Sequence, residues 1–203
     1  MNDGLATLAA LRRRARKRAV EERCDLCSAP VPPGHRHLVE VKSRQIACAC
    51  QACAILFPAQ ANARYKEIDG EVRRLAGFSL SDAQWDGLMI PINIAFFVRH
   101  SADGSTVAAT GERMAAYYPS PAGATESLLD LETWSEIAGD VVLRADVEAL
   151  VVNRLRPPHE YYILPIDHCY RLVGLIRTKW RGLSGGAEVH EAIDAFFAGM
   201  RDA

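Results

Sequence analysis

The sequence predicts an α+β protein of three parts: an N-terminal helix, a small cysteine-rich module, and a larger domain with an antiparallel sheet and C-terminal helices. Three observations predict this fold class. Five of the six cysteines lie between residues 24 and 53, apolar residues alternate from residue 90 as in a strand, and they recur at helical spacing from residue 166. The predicted boundaries are a basic helix over 1–22, the module over 23–60 and the α+β domain over 61–203.

The charge distribution is uneven although the net charge is only −1. Residues 12–18 carry six positive charges in seven positions, and the rest of the chain is mildly acidic. We interpret this basic segment as a solvated helix face, and the alternative is a patch that binds nucleic acid, anionic lipid or an acidic protein surface. No apolar region of the kind found in secretion signals follows it, and the longest apolar stretch covers only 12 residues, 87–98. A membrane span needs about 20 residues, so we expect a cytoplasmic protein without one.

The larger domain is predicted to begin with a strand in which Ile92, Ile94, Phe96 and Val98 share one face. Further strands are expected over 106–110, 114–118 and 161–164, and a short helix over 128–137. Residues 147–153 fit either a helix or a strand. The segment over 64–75 looks like a connector, and the sequence YPSPAGATES over 118–127 like a shaped loop.

Two C-terminal helices have clear apolar stripes, separated by a break at Gly185 and Gly186. The first begins near Asp167, which is placed to cap it. The stripe of the first helix consists of Ile166, Cys169, Tyr170, Val173, Ile176 and Trp180, and that of the second of Val189, Ile193, Phe196, Phe197 and Met200.

The cysteine spacing predicts a metal site in a zinc-ribbon-like module. Cys24 and Cys27 form one Cys-x-x-Cys pair, Cys50 and Cys53 another, and 22 residues separate them. Structural zinc takes four thiolate or imidazole ligands at the corners of a tetrahedron, which two such pairs supply. Cys48, two residues before Cys50, is the alternate ligand, and we expect it instead to be a small buried residue.

Two other observations keep alternatives open in this module. His35 and His37 lie between the pairs, and we expect them to make turn or outer contacts because four cysteines already complete a site. Iron is the alternative metal, either as a single ion in a rubredoxin-like site or in an iron–sulfur cluster. The sequence does not separate iron from zinc.

Several long motifs together resemble an uncharacterised bacterial family, a hydrogenase-associated domain of unknown function encoded beside nickel–iron uptake hydrogenases. They are CDLC over 24–27, HRHLV over 35–39, CACQAC over 48–53, YPSPAGATES over 118–127 and PIDHCYRLVGLIRTKWRG over 165–182. The resemblance extends over residues 24–198. It implies a role in hydrogenase assembly, maturation or electron delivery, with a hydrogenase subunit or a maturation factor as protein partner.

No catalytic arrangement stands out in the sequence. Asp167, His168 and Cys169 are adjacent, and neighbours in a helix point about 100° apart, so they cannot form a triad among themselves. Phosphate-loop, dinucleotide and nucleophile-elbow motifs are lacking. We therefore predict a non-catalytic accessory protein with structural zinc. The alternatives are an iron-containing electron carrier to a hydrogenase and a zinc-ribbon nucleic-acid-binding protein, the latter disfavoured by the acidic body.

Overall fold

The computed structural model describes residues 22–59, 63–101, 113–127, 131–182 and 185–201. The predicted basic helix, apart from its last residue, and the predicted strand over 106–110 lie outside these residues. The strands are β1 (Arg36–Glu40), β2 (Ile46–Ala49), β3 (Tyr65–Ile68), β4 (Arg73–Arg74), β5 (Ile94–His100), β6 (Arg113–Ser120), β7 (Gly123–Ser127), β8 (Glu148–Asn153) and β9 (Glu160–Pro165). The helices are α1 (Gln51–Leu56), α2 (Asp82–Gly87), α3 (Leu131–Ala138), α4 (Ile166–Lys179) and α5 (Ala187–Arg201).

A six-stranded antiparallel sheet forms the centre of the protein, in the order β4-β9-β8-β5-β6-β7. Both of its faces are buried. Phe96 and Val98 pack with helices α4 and α5 on one face. Ala95 and Phe97 of the same strand pack with α2 and α3 on the other. The predicted α+β class, with its antiparallel sheet and C-terminal helices, is confirmed.

A second, three-stranded antiparallel sheet has the order β2-β1-β3, and its strands β1 and β2 belong to the cysteine-rich module. Its third strand, β3, lies in the segment that the sequence analysis interpreted as a connector, and this interpretation was wrong. Val39 of β1 and Ile68 of β3 are buried in the same core as helices α4 and α5. The small sheet is thus packed against the large one and shares its core.

The segment over 118–127 is a hairpin and not a loop between a strand and a helix. Strand β6 runs to Ser120 and pairs with β7 through to the Ser120–Gly123 pair. Pro119 is tolerated in β6 because the pairing of β6 with β5 ends at Tyr117, so only β7 pairs with β6 there. Ser120 Oγ lies 3.1 Å from Thr125 Oγ1 across the hairpin, so these polar groups satisfy each other.

Candidate metal centre

The first Cys-x-x-Cys pair lies in a tight turn before strand β1. Ser28 donates its backbone N–H to the Cys24 carbonyl, and Cys24 donates its own to the Ala29 carbonyl, each at 2.8 Å. Ser28 has a φ of 61°, a left-handed conformation that reverses the chain. This turn brings the thiols of Cys24 and Cys27 close together.

The second pair lies at the start of helix α1. Cys50 is the N-cap residue, and Cys53 is in the first turn. Ala54 donates its N–H to the Cys50 carbonyl at 2.9 Å, so the helix begins directly after strand β2 ends. The strand-to-helix corner fixes the spacing of these two thiols.

The four sulfur atoms of Cys24, Cys27, Cys50 and Cys53 all lie within 4.8 Å of one another. Cys27 Sγ and Cys50 Sγ are 3.7 Å apart. In a regular tetrahedron with metal–sulfur distances of ~2.3 Å, the sulfurs are ~3.8 Å apart. These four thiols, the four-thiol site below, could therefore hold one metal ion, and their soft sulfur donors suit zinc or iron.

Burial and backbone hydrogen bonds affect the thiols of this site in opposite ways. Burial alone would raise the pKa of the Cys24 thiol, but the backbone N–H groups of Cys50, Leu26 and Cys27 outweigh it and lower the pKa to about 6. Burial, together with hydrogen bonds to the neighbouring thiols, raises the pKa of Cys53 to about 12. A metal ion bound here would require the thiolate form of its ligands and would stabilise it.

The apolar core around the four-thiol site is small. It consists of Val31, Leu38, Ala49 and Ala54 together with the buried Cys24 and Cys53. Such a set buries little apolar surface, and modules of this size usually need a metal or disulfides to stay folded. The module therefore has too few apolar side chains of its own to fold without such support.

Cys48 does not lie in the four-thiol site. Its sulfur lies within 4.8 Å of a ring nitrogen of His35 and of His37, and we call these three residues the His-Cys cluster. From the sequence alone, the two histidines and Cys48 are separate features with no indication that they meet. The local signal is the His-x-His spacing, and only the pairing of β1 with β2 shows that Cys48 lies opposite His37.

Asp167 contacts this cluster and does not cap helix α4. The helix begins one residue earlier, at Ile166, with Pro165 as its N-cap residue. Asp167 Oδ2 accepts a hydrogen bond from His37 Nδ1 at 2.9 Å, and Oδ1 accepts one from the His168 backbone N–H. The predicted cap was therefore wrong, since the carboxylate lies within the first turn and joins α4 to β1.

The three adjacent residues at the start of α4 lie in different environments. Cys169 is completely buried in the main core, as expected, and burial raises the pKa of its thiol above the ordinary range. His168 is half-buried, and burial lowers the pKa of its imidazole. Asp167 faces His37. A nucleophile–base–acid constellation is not formed by these side chains.

None of the helices in the described part of the chain has the length and apolar character that a membrane crossing requires. Comparison with curated proteins and with solved structures finds no match. A family model does match, over residues 23–203, which include the four-thiol site, the His-Cys cluster and the whole of the larger sheet. The chain therefore belongs to a family of unknown function, DUF5947.

Proposed function

We propose that this protein is a non-catalytic accessory protein in which Cys24, Cys27, Cys50 and Cys53 hold one structural zinc ion. The observation that carries the proposal is the convergence of the four sulfurs to within 4.8 Å. Four thiolates complete a tetrahedral shell and leave no position for water or substrate. A closed site of this kind stabilises the fold around it, and here that fold is the small sheet and helix α1.

Iron in the same four thiols is the competing assignment and would make the protein an electron carrier. Zinc is favoured because two Cys-x-x-Cys turns on either side of a small hairpin are typical of zinc ribbons. Backbone N–H groups near Cys24 would stabilise a thiolate on either metal. Ferric iron in four thiolates absorbs visible light, whereas zinc does not, so colour separates the two.

The protein acts by binding a protein partner, which we propose to be a nickel–iron hydrogenase subunit or a factor that matures it. The identity of the partner rests on the motif resemblance alone. Support for a docking role comes from helix α1, where Ile55 and Leu56 are adjacent, large and apolar, and expose 55% and 63% of their surface. They lie two and three residues after Cys53 on the same short helix, so a metal bound to Cys53 would hold this exposed apolar pair in place.

Nucleic acid is a less suitable partner for the module. Arg36 Nη1 lies 2.7 Å from Glu67 Oε1, and Arg64 Nε lies 2.5 Å from Glu40 Oε1. These ion pairs neutralise basic groups that a phosphate backbone would need.

The test uses the full chain, tagged and purified from its native host, with elemental analysis of the eluate and identification of co-purifying proteins. We expect zinc in the purified protein, and Cys24→Ser should lose one equivalent of metal. Cys169→Ala, which removes a thiol outside the four-thiol site and the His-Cys cluster, is the matched control and should keep all the metal. Stoichiometric iron with visible absorption would replace the zinc assignment with the electron carrier.

A surface variant tests the partner independently of the metal. Leu56→Glu should keep the zinc but no longer recover a hydrogenase component, because a charge then replaces an exposed apolar contact. Val142→Glu alters another exposed apolar residue, 76% accessible, and should not affect recovery. A deletion strain with normal hydrogenase activity, together with no hydrogenase component recovered by the wild-type chain, would contradict the proposed partner.

A further inference from the structure

The His-Cys cluster is a second group of metal-ligating side chains outside the four-thiol site. A ring nitrogen of His35, a ring nitrogen of His37 and the sulfur of Cys48 lie within 4.8 Å of one another. The two imidazole rings meet edge to face, with centroids 4.9 Å apart. Imidazole and thiolate are both good ligands for late first-row metal ions, so the chemistry of this set resembles a metal site more than a surface cluster.

The pairing of β1 with β2 produces this arrangement. His37 is directly opposite Cys48 in the antiparallel pair, and residues opposite each other project from the same face of a sheet. His35 lies just before β1, and the edge-to-face contact of its ring with that of His37 places it beside the same face. Leu38 and Ala49 belong to the opposite face and are completely buried beside the four-thiol site. The hairpin thus has the His-Cys cluster on one face and the apolar core beside the four-thiol site on the other.

Hydrogen bonds determine which ring nitrogens are available. His35 Nδ1 lies 3.0 Å from the Pro32 carbonyl oxygen, and His37 Nδ1 lies 2.9 Å from Asp167 Oδ2. Both partners are acceptors only, so each Nδ1 carries the proton in the neutral ring and each Nε2 keeps its lone pair. Metal-bound histidines typically have this arrangement, with the other ring nitrogen donating to a carbonyl or a carboxylate.

The Nε2 atom of His35 provides an independent indication of a ligand. It is fully buried, has no hydrogen-bond partner among the described residues, and belongs to a side chain that is only 8% exposed. A buried polar atom without a partner costs about 1–3 kcal/mol, and native structures contain few of them. A metal ion beside this nitrogen would remove that cost.

We propose that His35, His37 and Cys48 form a second metal site, for a late first-row divalent ion with zinc as the first candidate, and that Asp167 positions the His37 ring. Three protein ligands leave one tetrahedral position open, unlike the closed four-thiol site. The His37 side chain is 31% exposed, so an ion and a fourth ligand can reach the site from solvent. Because Asp167 belongs to α4, metal bound here would link the module to the larger domain.

The test counts metal ions in the full chain, stripped with a chelator under reducing conditions and then titrated with Zn²⁺ and, separately, with Co²⁺. We expect two equivalents in the wild type. His37→Ala and Cys48→Ser should each bind one, and Cys24→Ser should lose the other one. His190→Gln changes an exposed histidine outside the cluster and should keep two. Asp167→Asn should still bind two ions, with about 10–100-fold weaker affinity at the second site, as for other outer partners of a ligating histidine.

The Co²⁺ spectrum shows which site each variant loses. His37→Ala and Cys48→Ser should keep the intense sulfur-to-metal bands of a four-thiolate site, whereas Cys24→Ser should lose them. If His37→Ala does not fold, as judged by circular dichroism, His35→Gln replaces it as the less disruptive variant. One equivalent in the wild type would overturn the proposal. Retention of two equivalents by both Cys48→Ser and the histidine variant would overturn it as well, and so would loss of the four-thiolate bands in Cys48→Ser.

Discussion

At the scale of single residues, Asp146 is a buried carboxylate that holds three segments together. Its Oδ2 accepts hydrogen bonds from Lys66 Nζ at 2.6 Å and Ser101 Oγ at 2.5 Å, and Oδ1 accepts one from the Ser101 N–H at 3.0 Å. Burial alone would raise the pKa of this carboxyl, but the His100 ring, the Lys66 ammonium and the Ser101 hydroxyl hold it well below its usual range. The carboxylate therefore stays ionised in the folded protein.

Replacing Asp146 by asparagine should lower the free energy of unfolding at pH 7 by about 1–3 kcal/mol, the usual cost of losing buried hydrogen bonds to a charged group. Asparagine suits the backbone because it tolerates the φ of 70° at this position. The full difference in unfolding free energy between the wild type and the variant is expected above the ordinary aspartate pKa of ~3.9. It should shrink as the pH falls towards the lower pKa of Asp146 in the folded protein. Denaturant unfolding of both proteins at pH 7, 5 and 3.5 measures it.

The control for this pH dependence is Asp194→Asn. Asp194 pairs with Arg156 at 3.1 Å, and both side chains are well exposed. Its replacement should change stability by less than ~1 kcal/mol, as is usual for exposed ion pairs. If the loss of unfolding free energy in Asp146→Asn stays constant down to pH 3.5, Asp146 contributes through its shape and not through its charge.

At this scale, the two cysteine pairs could be predicted from the sequence, but the residues beside Cys48 could not. The Cys-x-x-Cys spacing is local, so it indicates which thiols can share a turn. The neighbours of Cys48 depend on the register of β1 against β2. The ring of His37, one of these neighbours, contacts Asp167, which lies 130 positions further along the chain. Contacts of that sequence separation leave no local pattern.

At the scale of elements, strands and helices differed in how well periodicity indicated them. Helix α5 lies on one side of the sheet, so its apolar stripe was clear and all five predicted residues are buried. Strand β8 is buried on both faces, which removes the alternation that marks a strand and explains why residues 147–153 were ambiguous. Strands β3 and β7 are short and rich in polar or small residues, and backbone pairing defines them.

Helix α5 should be held to the sheet mainly by Phe197. This side chain is only 1% exposed, stacks on Tyr162 of β9 at 6.0 Å, and meets Phe196 edge to face at 5.4 Å. Phe197→Ala should lower the free energy of unfolding by about 3–5 kcal/mol, because it leaves a cavity in a packed core. Chemical denaturation measures the change, and the exposed Val142→Ala serves as the control with an expected change below ~0.5 kcal/mol. A loss under ~1 kcal/mol would mean that the helix is anchored elsewhere.

At the scale of the whole molecule, the metal-binding module and the larger domain form one packed body. Val39 and Ile68 from the small sheet complete the core between the large sheet and helices α4 and α5. Lys66 pairs with Asp146, and Arg144 Nη1 lies 2.6 Å from Asp69 Oδ1. The predicted boundary between residues 60 and 61 follows the change from the cysteine-rich segment to one that mixes charged and scattered apolar residues. The shared core depends on strand β3, which pairs with β1 across the apparent connector.

Metal removal should therefore unfold the module and also weaken the larger domain without unfolding it. Metal-binding free energy becomes folding free energy in a module with so small a core. After treatment with a chelator, trypsin should cut at Arg36, Lys42 or Arg44, while the segment from β4 to α5 stays resistant.

The larger domain should become less stable at the same time. Burying one Val or Ile is worth about 1.5–3 kcal/mol, so the loss of Val39 and Ile68 from the shared core should be measurable. A loss of ~3 kcal/mol corresponds to a melting temperature roughly 6–12 °C lower for a domain of this size. Zinc added back should restore both the protease resistance and the melting temperature. An unchanged melting temperature and trypsin pattern after verified metal loss would show that the module folds without metal, and loss of the protected segment would show that the metal holds the whole molecule.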